Sequence, residues 1–317
     1  MAAPIRIAVL CNHWAALPAI GVLLQSDQLA GVATPRIEHD GNRRAQMIAA
    51  QRQLPYAAVD GARLAEQLPE WIAAARADAV FVIGCPYKIP PAVLGVPRLG
   101  FFNFHFGILP KYRGPDPVFW QIKNREADGG LTVHRMDAEL DHGPIVDVRR
   151  VAIAADDTYG LHVNKLAGVV AETARDTAMR LRDEGAALAL CPQDAAGAAY
   201  QPRPGLADLT IDWFQPPAVI SALVRAANPV YGGAVAFVRG VPVRVLQTTI
   251  VAAASASEAE PGAILAGAAG GALLVQGVDA SLLRLDVLAT DEGVLTGDRF
   301  ARIYRMQAGE RFESHPR

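Results

Sequence analysis

The sequence predicts an α/β domain with a parallel-sheet core, followed by a small β-rich domain, and three features carry that expectation. Over residues 5–105, strand-like apolar runs alternate with helical ones, the order that builds a parallel sheet covered by helices on both faces. From Cys191 to Gly205 the chain is rich in Pro, Gly and Ala, the composition of a linker. Beyond it, short β-like runs separated by turns have the spacing of a small barrel. The expected boundaries are 1–190 for the first domain, 191–206 for the linker and 207–317 for the second domain.

Taken in order, residues 5–10 are a continuous apolar run and read as a buried strand. A helix at 14–26, a strand at 29–33, helices at 42–53 and 61–76 and a strand at 79–84 follow. Residues 99–105, rich in Phe and preceded by a Pro/Gly turn, form the next strand. Gly107 and Pro110 end it, because Pro110 has no N–H for a ladder. Residues 131–137 are a further strand, closed by the acidic turn 138–143. Helical signals run from 158 to 183. In the second domain a helix is expected at 216–227 and strands at 234–238, 242–249, 262–266, 272–277 and 281–288, with a small-residue loop at 252–260.

Composition narrows the function. The 317 residues are 51% apolar and 20% charged, as in a soluble globular protein. A formal net charge of −2 and a pI near 6.4 deny the chain a global basic field, leaving only local patches at Arg43–Arg44 and Arg149–Arg150 for a polynucleotide. Cys11, Cys85 and Cys191 are few and scattered, which fits a reducing compartment, and the cytoplasm is expected. No signal segment or apolar run of membrane-spanning length is present, so no membrane anchor is expected. No His or Cys pair has metal-ligand spacing. The first strand-to-helix turn, Cys11-Asn12-His13-Trp14-Ala15, lacks the glycines that let a backbone approach a pyrophosphate, which argues against a nicotinamide enzyme despite the Rossmann-like order.

The chemistry concentrates where Asn103-Phe104-His105 leads into Leu109-Pro110-Lys111-Tyr112-Arg113-Gly114 and, further on, Asp141-His142-Gly143. A spacing of two puts Asn103 and His105 on one strand face, and a strand end is where sites lie in open α/β sheets. At these residues the chain resembles the folate-dependent formyltransferases, whose pattern is Asn-x-His, then Leu-Pro-x-x-x-Gly, then an Asp before a Gly. The stretch from Leu209-Thr210-Ile211-Asp212-Trp213 to Gly232-Gly233-Ala234 is similar to the start of that family's C-terminal domain. The resemblance covers nearly the whole chain and implies a Rossmann-like catalytic domain followed by an OB-like barrel.

It also implies roles. Asn103, His105 and Asp141 would be catalytic: an amide meeting oxyanion charge, an imidazole moving the proton, and a carboxylate orienting that ring. The donor would be 10-formyltetrahydrofolate, without a metal. Its pteridine would be clasped by the loop with Gly84, Cys85, Pro86, Tyr87 and Ile89 and the loop with Asp137 and Leu140, with Leu109 and Pro110 beside them. Two departures from the tRNA-acting branch point to a small-molecule amine, such as an amino sugar, an amino acid or a natural-product intermediate. The basic loop expected after the second strand is short and of mixed charge at 34–44, and Pro115-Asp116-Pro117-Val118-Phe119-Trp120 brings an aromatic pair in place of small residues. Methionyl-tRNA formylation, formyltetrahydrofolate hydrolysis and a non-enzymatic folate-binding role stand as alternatives.

Other residues carry two readings each. Lys111 and Arg113 are either a solvated basic loop or attractors of an anion. Asp116 and Trp120 are a helix cap and a core aromatic, or acceptor contacts. His134 follows an apolar alternation and reads as a core or supporting residue outside the catalytic set. His142 reads as either a surface residue or a substrate contact.

Overall fold

The computed structural model describes residues 4–252, 259–266, 271–278 and 281–315. Residues 253–258 of the expected loop at 252–260 lie outside that set. The chain divides into two compact units: one of residues 1–117, 128–152 and 163–202, the other of 118–127, 153–162 and 203–317.

The first unit begins with β1 (Ile7–Cys11), α1 (Leu17–Gln25), β2 (Leu29–Pro35), α2 (Asp40–Gln51), β3 (Tyr56–Val59), α3 (Leu64–Ala75), β4 (Ala79–Ile83), α4 (Pro91–Leu94) and β5 (Gly100–His105). After α5 (Pro117–Lys123) come β6 (Asp128–Arg135), β7 (Ile145–Ala152) and α6 (Tyr159–Glu184). The sheet order is β3-β2-β1-β4-β5-β6-β7. The first five strands are parallel, as expected, whereas β6 and β7 are antiparallel and make the sheet mixed. β3 and β7 are the two edge strands, and sequence patterning did not find either. β3 has only four residues, three half-buried and Val59 buried, between two helical runs, too short for an alternation to register. β7 does alternate, but Arg149 and Arg150 give it the composition of a basic patch. Arg149 is in fact paired with Asp147 and Asp176 at 2.7 and 3.1 Å, and Arg43 with Asp40 at 3.0 Å, so neither patch is an unopposed cluster of charge.

Alternation along β5 sets the site. Phe102 and Phe104 enter the core with Val9, Phe81 and Ile83 beneath α1, α2 and α6, whereas Phe101 joins Leu10, Val80 and Val82 on the opposite face with α3 and α4. Each fully buried Phe contributes about 1.5–3 kcal/mol. Asn103 and His105 share the Phe101 face, beyond the point where apolar packing ends.

The second unit contains α7 (Leu206–Leu209), α8 (Pro217–Ala227), β8 (Ala234–Val238), β9 (Val241–Val251), β10 (Ile264–Ala266), β11 (Leu274–Gln276), β12 (Leu282–Thr290), β13 (Gly293–Thr296), α9 (Gly297–Ile303) and β14 (Phe312–Glu313). Its antiparallel sheet runs β10-β11-β12-β9-β8-β14, with β13 on β12. The named strands leave this path open. An isolated bridge, Ala263 to Arg311, and an Ile264 N–H donated to the Glu310 carbonyl at 2.7 Å link its two ends. Trp213 and Phe312 pack in the core with ring centroids 5.6 Å apart. Phe119 of α5 is also buried in this unit, edge-on to Tyr231 at 5.3 Å, so this half of the expected aromatic pair is core. Trp120 lies under the Lys123 ammonium at 4.9 Å.

Candidate active site

Register brings four polar side chains onto one face. β5 pairs with β6 so that Asn103 lies opposite His134 and His105 opposite Thr132, and directly opposed residues of an antiparallel pair share a face. Thr132 fastens the loop that follows β5: its hydroxyl donates to the Gly107 carbonyl at 2.6 Å and accepts from the Leu109 N–H at 3.2 Å. The Leu109–Pro110 peptide is cis. This loop then brings Gly114 to the turn after β6, where its N–H donates to Asp141 Oδ2 at 2.9 Å. Gly114 has φ +115°, and a Cβ there would fall on the Gln201 carbonyl oxygen. Gly143 is equally constrained, since a Cβ would fall on the Arg135 carbonyl oxygen. The two motif glycines therefore let three backbone segments close around Asp141.

Asn103, His105 and Asp141 come together as the sequence suggests, and His134 joins them. Asn103 Nδ2 donates to Asp141 Oδ1 at 3.1 Å and to His134 Nε2 at 3.2 Å. His134 Nδ1 in turn lies 3.3 Å from the Arg135 carbonyl oxygen. His105 Nε2 is 2.6 Å from the Tyr112 carbonyl oxygen and must be its donor. The other ring nitrogen, Nδ1, faces Asp141 Oδ1 at 3.6 Å. Burial pushes His105 below the ordinary histidine value, against the opposing pull of Asp141 and the Tyr112 carbonyl, so the ring is neutral at pH 7. Burial works against the Asp141 charge too, but His105, His134 and the Gly114 N–H outweigh it and hold this carboxyl at about 2. The result is a neutral imidazole with a free Nδ1 lone pair beside a permanent carboxylate, the arrangement of a general base whose protonated form is stabilised in advance.

The sequence set His134 aside because an in-strand alternation cannot show what lies across a ladder. In the free protein both Asn103 N–H groups are occupied, so meeting an oxyanion requires exchanging the longer bond, the one to His134. Asn103→Ala is expected to lower the rate constant by about 10²–10³-fold, the cost of one oxyanion donor. Donor affinity measured by titration should change far less; an equal loss in both would make Asn103 a binding residue.

The residues expected around a heteroaromatic ligand occupy two turns. Gly84, with φ +75°, and Pro86 are exposed, Cys85 and Tyr87 are half-buried, and the Ile89 side chain is core beneath α3 and α4. Leu109 is likewise buried and Pro110 half-buried, while Leu140 is exposed. Among the described residues, the backbone N–H groups of Cys85, Tyr87, Lys88, Ala138 and Leu140 meet no protein acceptor. Asp137 braces its own turn, accepting from the Glu139 N–H and pairing with His142 Nδ1 at 2.8 Å. His142 is therefore a surface partner of Asp137. His13 and His39 cap helix starts through Nδ1, accepting from Ala15 and Gly41 N–H. Arg113 grips Gln193 Oε1 with two nitrogens at 3.0 and 2.8 Å, a structural engagement within the chain. No group of metal-binding side chains occurs among the described residues, and none of the described helices is long and apolar enough to cross a membrane.

A mostly parallel sheet with an amide, an imidazole and a carboxylate converging at a strand end has the groups that proton transfer and oxyanion stabilisation require. The Formyl transferase family profile matches residues 13–173 and the Formyl transferase, C-terminal domain profile matches residues 206–305. The chain belongs to the formyl transferase family. It is 33% identical to a methionyl-tRNA formyltransferase of Burkholderia ambifaria over 96% of this chain and 93% of that protein. With the enzyme of the same description from Ralstonia pickettii it shares 31% over 98% and 94%. Among solved structures, HypX from Aquifex aeolicus in complex with tetrahydrofolic acid superposes with a TM-score of 0.67 at 17% identity, covering 97% of this chain and 49% of that one. The sugar 3N-formyltransferase WlaRD superposes with a TM-score of 0.65 at 15% identity, covering 89% and 97%. These two likenesses are of fold.

Proposed function

We propose that this enzyme transfers a formyl group from 10-formyltetrahydrofolate to a primary amine, with initiator methionyl-tRNA as the acceptor. The observation that carries the transfer chemistry is the neutral His105 Nδ1 held 3.6 Å from the Asp141 carboxylate at the end of β5. The amine nitrogen bonds to the formyl carbon, the bond from that carbon to folate N10 breaks, and the proton shed by the amine passes through His105 to the departing nitrogen. Asn103 meets the transient oxyanion, and the unpaired N–H groups of the turns at 84–90 and 137–141 receive the pteridine. The acceptor assignment follows the tRNA-formylating relatives, identical at about one residue in three along almost the whole chain, and it replaces the small-molecule preference drawn from sequence.

One observation favours a second reading, a small amine. Only residues 36–39 join β2 to α2, where the tRNA-acting branch is expected to carry a basic loop. Hydrolysis with water as acceptor is the remaining competitor. The second unit, with its strand ends linked at Ala263–Arg311, is read as an OB-like barrel. The cytoplasm is the proposed compartment.

Tetrahydrofolate release measured with charged initiator tRNA, with a panel of amino sugars and amino acids, and with donor alone separates the readings. Turnover with tRNA is expected. Turnover confined to a small amine would replace the acceptor, and equal turnover without any amine would make the protein a hydrolase.

A further inference from the structure

The stretch with linker composition is bonded to the site. Cys191 and Ile145 exchange backbone hydrogen bonds at 2.7 and 2.8 Å, the Ala199 N–H donates to the Pro110 carbonyl, and Arg113 and Gln201 are joined in the same way at 2.8 Å. Residues 191–201 thus form a strap across the loop at 110–114 and the turn at 141–143. Near its start, Gln193 uses every hydrogen-bonding group of its amide. Nε2 donates to the Asp141 and Gly143 carbonyls, both at 2.8 Å, while Oε1 accepts from Arg113 twice.

We propose that Gln193 is a positioning residue for the proton-transfer step, holding Asp141 from its backbone side so that its carboxylate stays against His105. Asp141 needs such a hold. Its φ is +51°, a left-handed conformation that costs a residue other than glycine free energy and persists only where surrounding contacts over-determine it. The carboxylate is fixed from within by Asn103 and Gly114, but those bonds fix only the side chain. Gln193 fixes the peptide that carries it and, through Arg113, ties that peptide to the segment leading into Gly114. A long neutral amide suits this position, because two carbonyl oxygens need a donor and a guanidinium needs an acceptor on the same side chain.

The inference rests on the reading of Asn103, His105 and Asp141 as the acting groups, and its test separates the two. Gln193→Glu keeps the acceptor for Arg113 but turns an oxygen toward two carbonyl oxygens; Gln193→Leu keeps the volume and removes all four bonds. Turnover as a function of pH, donor affinity and the titration of the His105 ring by NMR are measured for both variants and the parent. The titratable groups that face His105 are Asp141 and His134. Because Asp141 raises the His105 value, a displaced carboxylate lets it fall further, and the acid limb of the rate profile moves to lower pH. The expected result is a fall in kcat of up to about 100-fold, the cost of a ~1 Å misplacement, with the limb and the ring titration both displaced and donor affinity near that of the parent. Unchanged kcat, or a loss of kcat with the limb and the ring titration unmoved, overturns the positioning role. If Gln193→Leu does not fold, Gln193→Glu decides by the same criteria. If the parent itself turns over no acceptor, the transfer reading fails, and the ring titration still decides whether Gln193 holds Asp141 against His105.

Discussion

His105→Ala is expected to reduce turnover by about 10²–10⁴-fold, the range for removing a positioned general acid and base, while donor affinity stays close to that of the parent protein. The argument begins from the neutral ring. Its Nε2–H is committed to the Tyr112 carbonyl at 2.6 Å, so only Nδ1 can receive a proton, and a proton there lies between the ring and the Asp141 carboxylate. An amine that attacks a formyl carbon becomes strongly acidic as its bond forms, and a base that accepts its proton in place lowers that barrier without binding the donor more tightly. The alanine variant removes the acceptor of the proton and leaves the turns at 84–90 and 137–141 unaltered. A variant with near-parental kcat would remove His105 from the chemistry, whereas a loss confined to donor binding would make it a pocket residue. In the parent, turnover should fall as pH drops through a value below the ordinary histidine range, because burial depresses the ring and the working form is the neutral one.

Much of this site is legible in the chain because its spacing is local. Asn103 and His105 are two apart on one strand, and the Gly114 and Gly143 positions mark where backbone segments must approach each other. What could not be read depends on register across strands or on contacts between distant segments. His134 reaches Asn103 only because β6 pairs antiparallel with β5 in one register, and a slip of one residue would turn it to the opposite face. Gln193 lies 52 residues from Asp141 in a stretch whose small-residue composition suggests looseness, and its bonds cannot be inferred from composition. The burial of Ile89 is equally illegible, because turn composition does not show that this side chain enters the core. β3 and β7 are both edge strands, β3 too short for an alternation to register and β7 alternating but partly charged and only half-buried.

Asp141→Asn is expected to have an effect as large as any in the site, a fall in kcat approaching ~10⁴-fold, the loss seen when the carboxylate that orients a catalytic imidazole becomes an amide. Two consequences combine. The negative charge that stabilises the imidazolium is lost, so the His105 value falls further and the acid limb of the rate profile moves to lower pH. The amide also cannot satisfy both of its donors: Asn103 Nδ2 and the Gly114 N–H point at different oxygens, and one of them would meet an NH₂ group instead. Stability should respond in a defined window. The Asp141 carboxyl is depressed from 3.8 to about 2, so its contribution is fully present above about pH 4 and is lost as pH falls toward 2. That shift corresponds to roughly 2 kcal/mol. Thermal melts of the parent and the Asn variant should therefore differ at pH 7 and converge near pH 2. A constant difference across that range would show that the loss comes from the broken hydrogen bonds alone, and that the carboxylate charge does not stabilise the folded site.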